Sequence, residues 1–293
     1  VGACAAETRV TTTGTLTVAA AVELDGLRLS SPALALMPEA TLTARSVVLE
    51  AVAIDVPAGA SLALDDAHVY APNAGALTVR GQLVATNTDL RRVGLQIAGG
   101  EVTLRDVQAR GGPGLSLTQG ATLTGQRVRL SARGVDAAVE VSAGALLLDS
   151  SAITTMGRTQ VLRVAAGGSA TVTRTWLRGS GGQEAVLVSG AQVTLRDVVA
   201  DRTLRVDAGG RLDAERVVVA RATGYALRVE GAVLSARDLW VEGGDNGLQL
   251  EASQVVIERG RFRRLEKQGI AVPGRVESTL ELTDVTLEQL GGF

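Results

Sequence analysis

Residues 94–107 read Gly-Leu-Gln-Ile-Ala-Gly-Gly-Glu-Val-Thr-Leu-Arg-Asp-Val, and residues 185–198 read Ala-Val-Leu-Val-Ser-Gly-Ala-Gln-Val-Thr-Leu-Arg-Asp-Val. Each stretch holds two short runs in which apolar residues occupy alternate positions, with glycine between them. Alternation at period two marks a strand with one buried and one solvated face. Both stretches close on the same Val-Thr-Leu-Arg-Asp-Val, so a unit is being repeated.

Moving outward in both directions, the first run recurs along the whole chain. It appears as Leu16-Thr-Val18, Leu34-Ala-Leu36, Ile54-Asp-Val56, Leu77-Thr-Val79, Leu95-Gln-Ile97, Leu115-Ser-Leu117 and Val139-Glu-Val141. It continues as Leu162-Arg-Val164, Val186-Leu-Val188, Leu204-Arg-Val206, Leu227-Arg-Val229, Leu248-Gln-Leu250 and Ile270-Ala-Val272. From Leu16 to Ile270 is 254 residues over twelve intervals, or about 21 residues per unit. A second run follows a turn later, as in Val102-Thr-Leu104, Val193-Thr-Leu195, Leu234-Ser-Ala236 and Leu280-Glu-Leu282. Between the two lies a glycine column at 59, 81, 99, 120, 144, 167, 190, 209, 231 and 274. Glycine recurring at a bend points to a left-handed backbone position.

A β-sandwich would reverse its strands through Asn-Gly or Asp-Gly hairpins. Only Asp25-Gly26 and Asn246-Gly247 are of that kind. Recurrence of the same residue type at the same phase instead predicts an all-β solenoid. Its coils stack in register about 4.8 Å apart, giving a rod on the order of 60 Å long. Residues 1–13 read as a spacer and 14–293 as the solenoid domain.

Composition agrees. Aromatic residues make up 2% of the chain, so Leu, Val, Ile and Ala fill the core in thin layers. The charge after the second run follows the same period: Asp106, Arg127, Ser150, Thr175, Asp197, Arg216, Asp238, Arg259, Asp284. Wherever this column is charged on adjacent coils the sign alternates, which predicts an ion-pair ladder on the outside. Net charge is −2, and Lys267 is the single lysine, so no basic field for nucleic acid exists.

On the two stretches quoted first, the chain resembles the right-handed parallel β-helix superfamily, often called pectin-lyase-like. The likeness runs from about residue 14 to 290 and implies a single-stranded right-handed parallel β-helix of about 13 coils. The left-handed alternative implies coils of a strict eighteen residues, whereas these range from about 18 to 24. Members of the superfamily include polysaccharide lyases, hydrolases and epimerases, tailspikes, autotransporter passengers and surface proteins without known activity. Many stack Asn inside a turn, while this chain has only Asn73, Asn87 and Asn246.

The hydrolases of this group cluster Asp residues from adjacent coils with a His, because one carboxyl protonates the leaving oxygen and another activates water. Asn87-Thr-Asp89, the pair Asp65-Asp66, and His68 are the fragments that match. Their order is wrong and the accompanying Gly-His-Gly and Arg-Ile-Lys motifs are missing, so Asp65, Asp66, His68 and Asp89 stand as candidates only. The basic cluster Arg259–Arg264 with Lys267 reads as a solvated rim beside Glu258 and Glu266. Gly243-Gly-Asp-Asn246 is similar to a calcium-binding turn but does not iterate. No metal or cofactor is expected. Connections such as 154–160, 178–184, 242–246 and 263–268 are short, which argues against a walled cleft. Trp176 and Trp240 lie beside Leu or Val, from which core or semi-buried packing is expected.

Val1-Gly-Ala-Cys4-Ala resembles the tail of a bacterial lipoprotein box, making Cys4 a lipidation candidate. A lone cysteine allows no intrachain disulfide. Neither end carries a cap, so further chain or a covering partner is expected there. The sequence therefore points to a non-enzymatic rod, extracellular or on the cell surface, as scaffold, spacer or adhesin. A bacterial outer-membrane lipoprotein is one form of it. Surface polysaccharide or another cell-surface protein are the partners it would meet, and a membrane only through Cys4. The alternative is a pectin-lyase-like polysaccharide lyase, hydrolase or epimerase, or an inactive relative.

Overall fold

A computed structural model describes residues 8–157, 160–181, 184–273 and 276–291. The chain is an all-β solenoid of about 13 turns of roughly 21 residues, wound so that every strand pairs in parallel with its counterpart one turn away. No helix occurs among the described residues.

Each turn contributes to three sheets. The anchor sheet holds the first run, in strands such as Leu115–Thr118 and Val186–Ser189. The second sheet holds the second run, as in Gln82–Thr86 and Glu101–Arg105. A third sheet follows, with Arg129–Arg133, Ala152–Met156 and Trp176–Gly179. Toward the C-terminal end the corners become so regular that one strand, Arg211–Glu230, runs through all three.

The anchors predicted from sequence form one continuous register. Leu16 pairs with Leu34, Leu34 with Ile54, Ile54 with Leu77, Leu77 with Leu95, Leu95 with Leu115 and Leu115 with Val139. The column continues through Leu162, Val186, Leu204, Leu227 and Leu248 to Ile270. Side chains of this column face the core, while the intervening residues face solvent, as the pleat requires.

Core packing is balanced locally rather than uniformly. Phe262 is fully buried in a third-sheet column that elsewhere carries Leu, Val, Ile or Ala. Its ring fits because a neighbour lacks a Cβ: one placed on Gly247 would lie 2.9 Å from the Phe262 ring. Volume added on one turn is removed from adjacent positions, as close packing demands.

Two corner columns use left-handed backbone. At the first, Gly59, Gly99, Gly120, Gly167, Gly190, Gly209 and Gly231 have positive φ as expected. Gly81 and Gly144 do not; a Cβ on Gly81 would lie 2.3 Å from the Ala60 carbonyl oxygen, so close approach explains that glycine. Gly274 and Cys4 lie outside the described residues. The second corner, between the second and third sheets, was not foreseen as left-handed. From Gly26 to Asp284 every turn places a residue there with φ between 47° and 60°, and all but the first are non-glycine. Such a conformation costs an L-residue about 1 kcal/mol. It lets the corner amide continue the ladder: Ser46 N–H donates to the Asp65 carbonyl and Asp106 N–H to the Gln126 carbonyl, both at 3.0 Å.

The charge column is this corner, with one correction. Arg174, not Thr175, occupies the position. Thr175 is buried, and its hydroxyl donates to the Thr173 carbonyl at 2.7 Å. The first strand, Thr8–Thr11, pairs with Leu27–Ser30, so pairing begins inside the stretch read as a spacer.

Adjacent residues on one strand provide a test. Leu83 is fully buried and Val84 is 37% exposed. Leu83→Ala is expected to lower unfolding free energy by about 2–5 kcal/mol, and Val84→Ala by less than about 0.5 kcal/mol. Urea unfolding followed by circular dichroism would measure both; equal losses would contradict the inward–outward assignment.

Candidate functional site

The outer face of the corner carries the densest chemistry. Arg127 Nε donates to Asp106 Oδ1 at 2.5 Å and its Nη2 to Oδ2 at 2.6 Å. The same fork joins Arg216 to Asp197 at 2.6 and 3.0 Å, and Arg259 to Asp238 at 2.7 and 2.8 Å. Bidentate geometry of this kind is what a planar guanidinium favours. Arg174 turns instead to Asp149, since Ser150 interrupts the column. The expected ladder is therefore a series of closed pairs, each Arg reaching back one turn. The steps between pairs act at longer range, Arg216 upon Asp238 and Asp284 upon Arg259.

A second column, one residue earlier, was missed. Arg196, Glu215, Arg237 and Glu258 are stacked in register. Their signs are opposite to those of Asp197, Arg216, Asp238 and Arg259 beside them. Arg237 binds Glu258 at 2.8 Å and Arg196 approaches Glu215 at 3.5 Å, while Arg216 and Arg259 also bind Glu215 and Glu258 sideways. The result is a two-dimensional checkerboard. Its signal was present in the repeated Arg-Asp and Glu-Arg dipeptides, but reading a single phase hid it.

Electrostatics follow from the pairing. The Arg127 guanidinium holds the Asp106 carboxyl below its ordinary value, and Arg174, Arg216 and Arg259 do the same for Asp149, Asp197 and Asp238.

The sequence candidates for catalysis are separated. Asp65 ends a second-sheet strand, in register with Arg45 and Thr86. Asp66 sits at the corner and accepts a 3.3 Å hydrogen bond from the Ser46 hydroxyl. His68 and Asp89 do meet on the third sheet, as register neighbours with Nδ1 and Oδ2 3.8 Å apart. They line an open groove of about 590 Å³ with Glu50, Tyr70, Arg28 and Arg91. Asp89 is committed elsewhere, however, accepting from Arg91 Nε at 2.7 Å, with Arg110 Nε at 4.0 Å. Among the described residues no three His, Cys, Asp or Glu side chains are grouped to hold a metal ion.

The other sequence features resolve as structure. In the basic cluster Arg261 binds Glu288 at 2.8 Å, Arg264 binds Glu242 at 3.0 Å and Lys267 lies 3.7 Å from Asp245. Asn246 bridges turns, donating to the Gly224 carbonyl at 3.4 Å and accepting from Gln268 N–H at 3.2 Å.

Both tryptophans are more exposed than the core or semi-buried packing expected of them. Trp176 is 45% and Trp240 57% exposed. In Trp176-Leu177 and Leu239-Trp240 only one of two neighbours can face inward, and the fully buried leucine does. Trp176 also stacks under Arg178, whose guanidinium lies 5.6 Å from the ring centre. A larger groove of about 1110 Å³ runs beside Trp176, Val199 and the Asp106–Arg127 pair.

No family model matches this chain, and no curated protein sequence matches it. Among solved structures it is similar to HetL, a pentapeptide repeat protein involved in heterocyst differentiation regulation from the cyanobacterium Nostoc sp. strain PCC 7120. That likeness spans 75% of this chain and 86% of HetL at 14% identity, with a TM-score of 0.29. At that score it carries no further inference.

Lowered aspartate values set the sign of the pH dependence. A carboxylate held below its unfolded value stabilises the fold above that value, and the contribution is lost as pH falls through the folded one. Stability is thus expected to decline as pH drops below about 3.8, the ordinary aspartate value. An Asp197→Asn, Asp238→Asn variant should show a shallower decline, measured as thermal midpoint against pH in low salt. An unchanged slope would mean the pairs contribute nothing to folding.

Proposed function

We propose that this chain is a non-enzymatic rod that acts as a scaffold, spacer or adhesin at a cell surface. The observation that carries this reading is the use made of its carboxylates. Asp106, Asp149, Asp197 and Asp238 are each closed by an arginine from the next turn. A general acid or base must be free to exchange a proton with substrate, and a calcium site needs several carboxylates facing one point. Charges neutralised turn by turn serve register instead. Right-handed winding and kinship with the pectin-lyase-like superfamily belong to the same proposal, supported by coil lengths between about 18 and 24 residues.

One observation favours the alternative. His68 and Asp89 are adjacent beside an open groove, the nearest approach in this chain to a proton-transfer pair. Incubation with a panel of uronic-acid and neutral polysaccharides, with and without Ca²⁺, separates the two readings. The rod reading expects no turnover. Bond cleavage that disappears in His68→Ala and Asp89→Asn would overturn it in favour of a polysaccharide-active enzyme.

Surface location is proposed on the Ala-Cys sequence at residues 3–4, with Cys4 as the lipid-bearing residue. Mass spectrometry of protein from its native host should find an acylated Cys4 at the mature N-terminus. An unmodified peptide spanning Cys4 would remove that part of the proposal.

A further inference from the structure

The outer face of the third sheet is not uniformly polar. On four successive turns its first outward column reads Trp176, Val199, Val218, Trp240, paired in register. The tryptophans stand about 14 Å apart, three turns of the stack. Val199 is 40% exposed between them. This stripe has the same composition read in either direction.

Charged columns flank it at equal distances, two residues to each side. One is the corner column, with Arg174, Asp197, Arg216 and Asp238. The other lies within the sheet, with Arg178, Asp201, Ala220 and Glu242; Thr154 pairs with Arg178, Arg178 with Asp201, and Ala220 with Glu242. Two ways of laying a second rod on this face can then be compared. With rods parallel, a twofold axis along the stripe sets the corner column against the sheet column on the same turn. That opposes Arg174 with Arg178 and Asp238 with Glu242, both of like sign, while Asp201 is buried and bound by Arg221 and takes no part. With rods antiparallel, the axis lies along the strands between Val199 and Val218, and each column faces itself inverted. Arg174 then opposes Asp238, Asp197 opposes Arg216, and Arg178 opposes Glu242, all of opposite sign. Trp176 meets Trp240 and Val199 meets Val218.

We propose that this face binds a second copy of the chain, rods antiparallel, about a twofold axis between the turns of Val199 and Val218. Such an interface is isologous, so one surface supplies both halves. The open groove beside Trp176 receives Trp240 of the other copy, the more exposed of the two indoles. With one further turn beyond each tryptophan, at Ala152 and Arg261, six turns by three columns cover roughly 500 Å² on each copy, or about 1,000 Å² in all, near the lower bound of a specific interface. A weak, reversible dimer follows. The inference stands apart from the scaffold proposal, because polysaccharide turnover would end that reading and leave this one untouched.

Charge exchange tests it. Within one rod Arg178 lies 3.9 Å from Asp201 and Glu242 is bound by Arg264 at 3.0 Å; three turns apart, Arg178 and Glu242 do not reach each other there, yet they oppose each other across the proposed interface. Molar mass of the full chain would be measured by sedimentation velocity from about 1 to 200 µM. The unaltered chain should shift from monomer to dimer over that range. Arg178→Glu and Glu242→Arg should each weaken the dimer by at least about tenfold. The double variant should return it to within a few-fold, and Trp240→Ser should weaken it whatever the charges. Circular dichroism melts confirm that each variant is folded. A monomer at every concentration, a dimer indifferent to both single exchanges, or a double variant no better than the singles would each overturn the proposal.

Discussion

Strand residues of this molecule lie on top of their counterparts one turn away, at the spacing of hydrogen-bonded strands, about 4.8 Å. Everything else follows from that stacking. Backbone amides are satisfied by the neighbouring turn, so the chain needs neither helices nor hairpins to close its hydrogen bonds. The price is repetition: whatever one turn places in the core, the next must tolerate directly above it. Small aliphatic side chains meet that condition easily, which explains a core of Leu, Val, Ile and Ala in a chain with 2% aromatic residues. The exception, Phe262, sits where Gly247 clears space for its ring.

The same rule acts on charge with the opposite preference. Apolar side chains stack best on their own kind, whereas charged ones gain by stacking on the other sign, and like pairs such as Arg205 on Arg228 occur where carboxylates such as Glu230 lie beside them. At the corner the consequence is reinforced by backbone geometry, because left-handed residues there hold their side chains outward in one line. Asp and Asn tolerate that conformation better than most residues. Arg does not share the preference, and its presence at 127, 174, 216 and 259 is explained by the carboxylate it grips one turn back. Local strain is thus accepted in return for a cross-turn fork.

This division explains what could be read from sequence. The anchor register was legible from Leu16 to Ile270, because burial selects the same residue type on every turn and period-two alternation leaves no ambiguity of phase; Val272, expected to close the last anchor, is exposed instead. The corner was legible only in part. Thr175 stands one residue past the corner residue Arg174, and the slip arises because the turn before it has Asp149-Ser150 where others have an alternating pair, so local counting fails where the repeat is imperfect. Trp176 and Trp240 were misplaced for a related reason: each adjoins a leucine, and composition alone does not say which of two adjacent apolar residues faces inward. The strict phase of the register decides it, and Leu177 and Leu239 lie on that phase. Candidate sites were least legible. Proximity in sequence joined Asp65, Asp66 and His68, whereas stacking joins residues about 21 apart and so put His68 with Asp89.

Alternation has one more property, which is geometric. A column whose sign changes at every turn becomes its own complement when inverted about a point midway between two turns, since positions related by the inversion are always an odd number of turns apart. A column of one sign, or one of identical neutral residues, lacks this property. The arrangement that prevents repulsion within a rod therefore also prepares its surface for an inverted copy of itself. Whether such a surface is used depends on what lies beside the charges, because exposed ion pairs alone contribute little to association. On the third sheet the neighbour is a stripe of tryptophan and valine, symmetric about the same midpoint, so the apolar and charged patterns share one axis.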